Sequence, residues 1–176
     1  MTVVDDTNFR DLLTHDHARL DAMLTSILEV ARAGVQPKLD EQWAAYEDSV
    51  LAHIDAEEMF LLPGLAVHEP RLASRIRDEH TKFRSLLAEV GIGLELHIVR
   101  ENQILELTRS LREHAQMEEH LLYVWADTTL PTGRFASVAR RLRATWARLA
   151  KAATHVGEPG ADGHASEPVW GVSRRF

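Results

Sequence analysis

The chain has 176 residues, 45% hydrophobic and 27% charged, a balance that fits one ordinary soluble globular domain with an apolar core. It contains no cysteine, which excludes disulfides, iron–sulfur clusters, thiolate zinc sites and cysteine nucleophiles, and leaves ten histidines and 27 acids to carry any chemistry. The net charge of −7 argues against a duplex nucleic-acid binder. No run approaches the roughly 18 apolar residues of a membrane span, and the first residues lack a basic region before an apolar stretch, so a cytoplasmic protein without membrane contact is expected.

Apolar periodicity predicts five helical segments, and the fold expected is all-α. Residues 7–33 place Leu13, His17, Leu20, Leu24 and Ile27 on one face, with Asp5, Asp6 and Thr7 as capping candidates. Residues 39–62 continue the pattern through Trp43, Tyr46, Val50, His53, Glu57 and Phe60 and are expected to stop at Pro63-Gly64. A third segment follows Pro70 with Ala73, Ile76, His80, Phe83, Leu87 and Val90, ended or kinked by Gly91 and Gly93. A fourth, about 99–126, carries Ile104, Leu107, Leu111, His114, Glu118, Leu121 and Trp125. Long segments with short connections predict an up-down-up-down four-helix bundle over residues 1–130.

A basic accessory helix is expected over 131–156, with Phe135, Val138, Leu142, Trp146 and Leu149 in its stripe, and a flexible tail over 157–176. Residues 128–176 hold eight Lys or Arg against three acids. The simplest reading docks the helix on the bundle through its stripe, with the arginines solvated or paired. A sharper one gives it an acidic partner.

The stripes of the first four segments contain groups that a buried face normally excludes: His17, His53, Glu57, His80, His114 and Glu118. His53 with Glu57, and His114 with Glu118, stand four residues apart, which puts each pair on one helix face. The spacing alone is weak, since His97 and Glu101 share it. Three further facts strengthen it. All six groups lie in apolar stripes. His53, Glu57 and Glu58 map onto His114, Glu118 and Glu119 by a shift of 61, while Asp16-His17 maps onto Glu79-His80 by a shift of 63. Counted from the expected helix ends, all six fall at one level of the bundle. Four imidazoles and two carboxylates suit iron, manganese or zinc, and two bridging carboxylates would leave each of two ions a pair of imidazoles and room for solvent or dioxygen.

In this ordered set, His17, His53-x-x-x-Glu57, His80 and His114-x-x-x-Glu118, the chain resembles the hemerythrin family, and within it the bacterial hemerythrin-like cation-binding domains. The resemblance covers residues 7 to about 126. It implies two non-haem iron ions, oxo- or hydroxo-bridged, inside the bundle, with the six residues as ligands and the glutamates as bridges. Oxygen carriers of the family place another histidine where this chain has Arg84, and they end on His-x-x-x-x-Asp, which counts against reversible dioxygen transport. The iron-centre repair branch carries a cysteine-bearing extension that this chain lacks.

Three functions remain open: binding or sensing of dioxygen, nitric oxide or iron itself; an enzyme acting on hydrogen peroxide or nitric oxide; and a metal-braced interaction module using the basic helix. No Ser-His-Asp set, phosphate loop or nucleotide fingerprint competes. Around the six residues, Asp21, four positions after His17, is able to hydrogen-bond it, and Glu58 and Glu119 are able to do the same but more simply solvated. His15 and His120 are placed on the surface or at a helix interface, and His97 with Glu101 reads as a solvated or capping pair. Tyr123 reads as a core residue that could contact a bound oxygen species.

Overall fold

The computed structural model describes residues 7–155, and side chains as far as Lys151. The expected tail and the capping candidates Asp5 and Asp6 lie outside the described residues. These residues form seven helices and no strand: α1 Phe9–Ala33, α2 Gln36–Phe60, α3 Leu62–His68, α4 Pro70–Glu95, α5 Glu101–His120, α6 Leu122–Thr129 and α7 Thr132–His155. None is long and apolar enough to cross a membrane.

Local chemistry sets the ends. Asn8 caps α1 by accepting the Asp11 N–H at 2.7 Å, taking the role expected of Asp5, Asp6 or Thr7. Gly34 closes the helix at φ 70°, a left-handed conformation that costs glycine least, and its N–H returns to Ala31. Proline stands in the first turn of α2, α3 and α4, where a missing N–H costs nothing.

Two expected helix ends are corrected. Pro63-Gly64 does not stop the chain: the helix is offset at Leu61 and restarts as α3, with Pro63 inside the first turn. The Gly91 and Gly93 pair neither ends nor breaks α4, which runs on to Glu95. Gly93 is buried where a Cβ would stand 3.4 Å from the Val99 backbone, so its small size lets the connection fold back tightly. The fourth segment also divides, at Leu121, into α5 and α6. No proline or glycine marks that break.

Helices α1, α2, α4 and α5 form a square in which each packs on two neighbours. Their apolar stripes build two cores with a polar layer between them. One core holds Leu20, Leu24, Ile27, Trp43, Tyr46, Val50, Phe83, Leu87, Ile104 and Leu107. The other holds Phe9, Leu12, Leu13, Leu61, Leu65, Ile76, Leu122 and Tyr123, and is closed over by α3, α6 and α7. Each fully buried leucine or isoleucine contributes about 1.5–3 kcal/mol, which offsets the cost of the polar layer.

The basic α7 docks on α2, burying Val138, Ala139 and Leu142, and Phe135 meets Phe9 edge to face. Its arginines are paired in part, Arg141 with Asp55 at 2.8 Å and Arg148 with Asp48 at 3.3 Å. This is the docked arrangement that the simplest sequence reading expects.

Candidate metal centre

The polar layer contains all six residues singled out from the stripes. His17 is on α1, His53 and Glu57 on α2, His80 on α4, and His114 and Glu118 on α5, all buried. They fall into two groups that share both glutamates. His17, His53, Glu57 and Glu118 bring four ligand atoms within 4.8 Å of one another, and Glu57, His80, His114 and Glu118 do the same.

Each imidazole is aimed by a carboxylate outside the layer. The Nδ1 atoms lie within hydrogen-bond distance of these oxygens: His17 to Glu119 at 3.2 Å, His53 to Asp16 at 2.9 Å, His80 to Glu58 at 3.0 Å and His114 to Glu79 at 3.2 Å. A carboxylate accepts, so Nδ1 carries the proton and donates. Each Nε2 is then turned inward, the carboxylate–histidine arrangement that fixes ring orientation and raises ligand basicity. The sequence repeat extends to this outer shell. Shifts of 61 and 63 carry Asp16–His53 onto Glu79–His114 and Glu58–His80 onto Glu119–His17.

This corrects the expected surroundings of the histidines. Asp21 does not reach His17 and instead takes Arg112 at 2.6 and 3.0 Å. Glu58 and Glu119 are ring partners rather than solvated acids. Asp16 and Glu79, the residues just before His17 and His80, were visible in the repeat but carried no assigned role. Arg84 grips Glu58 at 2.8 and 3.0 Å and so steadies the carboxylate behind His80. Of the other histidines, His15 is exposed against Trp146 and His120 donates to Gln116 O, both outside the layer as expected. His97 lies in the connection after α4 at φ 56°, and Glu101 is bound by Arg32.

The accessory helix reaches the layer. Asp16, wholly buried on α1, accepts from His53 with one oxygen, and its other oxygen accepts from Arg19 at 2.8 Å and from the Trp146 indole of α7 at 2.9 Å. Tyr123, fully buried on α6, is no ordinary core residue. Its hydroxyl stands 2.6 Å from Glu57 Oε1, 3.2 Å from Glu118 Oε2, 3.2 Å from His17 Nε2 and 3.4 Å from His53 Nε2.

The donor set fits a cation. Glu57 Oε2, Glu118 Oε1, His80 Nε2 and His114 Nε2 are buried without a hydrogen-bond partner, although the imidazole nitrogens stand 3.1–3.4 Å from carboxylate oxygens. With their protons at Nδ1, the neutral imidazoles turn lone pairs toward acceptor oxygens, an arrangement that only positive charge reconciles. The electrostatics agree. Burial raises Glu57, and Glu118 raises it further, yet the neighbouring imidazoles bring it down to about 2. Burial alone would lower His80, but Glu118 and Glu57 push it up to about 10, and His53 and His114 are raised against the same burial. Without metal, the two glutamates gather protons in its place.

The family model described as Hemerythrin HHE cation binding domain matches residues 8–126. The chain belongs to the hemerythrin HHE cation-binding family. No curated protein and no solved structure matches it. The hemerythrin match spans α1 to most of α6 and stops short of α7, so Trp146 comes from outside the matched domain.

Proposed function

We propose that this chain is a non-haem di-iron protein that binds or senses a small ligand, dioxygen or nitric oxide, with His17 and His53 on one ion, His80 and His114 on the other, and Glu57 and Glu118 bridging. The observation that carries the reading is the pair of buried four-residue groups with both glutamates in common. Nitrogen and oxygen donors of intermediate hardness suit iron, and two shared carboxylates offset part of the charge of two divalent ions. The iron pair would supply the ligand-binding position and the electrons for any redox step. The protein supplies the rest. Four Nδ1–carboxylate bonds hold the rings in one orientation, and the two apolar cores limit water at the layer.

The test is metal analysis of the purified protein with its iron(III) absorption spectrum. About two irons per chain and near-ultraviolet oxo-bridge bands are expected, both reduced in His114→Ala. Less than one iron per chain, unchanged in that variant, ends the reading. Turnover of hydrogen peroxide is the enzyme alternative. Rapid oxygen evolution from peroxide that disappears in Glu57→Ala would favour it.

A further inference from the structure

The two halves of the layer are not equivalent. Around His17 and His53 the Tyr123 hydroxyl stands 2.6–3.4 Å from all four candidate donors, and those donors approach one another at comparable distances, His53 Nε2 to Glu57 Oε1 at 3.3 Å and His17 Nε2 to Glu118 Oε2 at 3.4 Å. Donors that share a first-row ion at about 2.1 Å, at right angles to each other, lie about 3 Å apart. Tyr123 Oη therefore stands as a neighbouring donor to each of the four.

Around His80 and His114 no hydroxyl among the described residues takes the place of Tyr123, since both Nε2 atoms lack a hydrogen-bond partner. The shift of 61 that relates the two hairpins carries Tyr123 onto Leu62, which is apolar and packed in the second core. The unpartnered imidazole nitrogens, of His80 and His114, lie in this half. It is also the half nearer solvent. A cleft of about 170 Å³ between α4 and α5 is lined by Arg75 and Glu79, which pair at 3.0 Å, by Lys82, Glu113 and Ser110, and by His114, the most exposed of the four imidazoles at 7%.

We propose that Tyr123 is a protein ligand to the ion held by His17 and His53, and that the exchangeable position, for a small anion or diatomic molecule, lies on the ion held by His80 and His114, reached through the α4–α5 cleft. This rests on the di-iron reading above. On loading with iron(III), the Tyr123 oxygen binds as phenolate and its proton is released, as protons are from other ligands when a metal displaces them. A bound cation reverses the electrostatics that keep a phenol protonated in an ion-free site. With Arg75 paired to Glu79, Lys82 is the cation that favours an anion at the cleft, beside Glu113.

The chain has only two tyrosines, which makes the test clean. Iron(III)-loaded protein is expected to show a tyrosinate-to-iron charge-transfer band in the visible and tyrosine ring modes in its resonance Raman spectrum. Both should persist in Tyr46→Phe and vanish in Tyr123→Phe. Azide, as the anionic probe, should bind once per iron pair, and Lys82→Glu should slow its association several-fold at low salt with iron content unchanged. Wild-type protein with two irons per chain and no tyrosine modes overturns the assignment of Tyr123. An azide rate indifferent to Lys82→Glu overturns the cleft as the route. A chain that retains no iron ends the di-iron reading itself, and this one with it.

Discussion

The Trp146 indole N–H donates to Asp16 at 2.9 Å, and through Asp16 helix α7 touches the ring of His53. The basic helix is thus part of the support of the polar layer, and three results follow. Asp16→Asn should weaken metal binding by about 10–100-fold, the usual effect of losing the carboxylate behind a ligating imidazole. Trp146→Phe, which removes one donor and leaves Arg19 in place, should cost about 1 kcal/mol of stability in urea unfolding and a smaller loss of metal affinity. Deleting residues 132–176 should perturb the iron spectrum, against the expectation of a mere accessory. A spectrum identical to that of the full chain would show that Asp16 holds His53 unaided.

The hairpin repeat predicts paired responses. Glu58→Gln and Glu119→Gln remove related partners of His80 and His17, so titrations with iron(II) should show similar losses, on the order of tenfold each. Arg84→Ala should reproduce a fraction of the Glu58 loss, because Arg84 holds that carboxylate by a fork rather than touching the imidazole itself. An Arg84→Ala loss equal to that of Glu58→Gln would show that the carboxylate acts only when gripped.

Stability of the ion-free protein should peak on the mildly acid side of neutrality. His80 is pushed up to about 10 from 6.5, so its contribution is complete below about pH 6.5 and is lost as pH rises toward 10. Glu57 is brought down to about 2 from 4.5, so its contribution is complete above about pH 4.5 and is lost as pH falls toward 2. Denaturation midpoints of chelator-treated protein should therefore be highest between about pH 4.5 and 6.5. Bound metal replaces the protons on the imidazoles, so the loaded protein should lack the alkaline decline.

Gly64 on α3 lies under the Trp125 ring of α6, where a Cβ would meet ring carbon at 3.0 Å and Leu130 at 3.2 Å. Gly64→Ala should cost about 1–3 kcal/mol through overpacking, measured by thermal unfolding. A neutral result would mean that α6 slides without cost, and Tyr123, on the same short helix, should then change its spectrum too.

What the sequence made legible follows from what periodicity reports. Stripe, spacing and repeat located His17, His53, Glu57, His80, His114 and Glu118, because ionisable groups on an apolar face are conspicuous. Glu58 and Glu119 sit one position farther around the helix from Glu57 and Glu118, where a solvated acid looks the same, and only the approach of a neighbouring helix distinguishes the two. Pro63 reads as a stop because a proline in the first turn of a restarted helix carries the same local signal. Tyr123 reads from the sequence as a core residue for a different reason. Its inward aim follows an unpunctuated break at Leu121, and a straight helix would have turned it elsewhere.

Each proposed ion takes both its imidazoles from one hairpin, yet each also needs a carboxylate from the other, and two of the four outer carboxylates reach across as well. Neither hairpin alone can assemble a complete site. Iron held here would act as a latch between two half-molecules, retained only while they remain closed against each other, so the rate at which the protein surrenders its metal to a chelator measures how often the halves part.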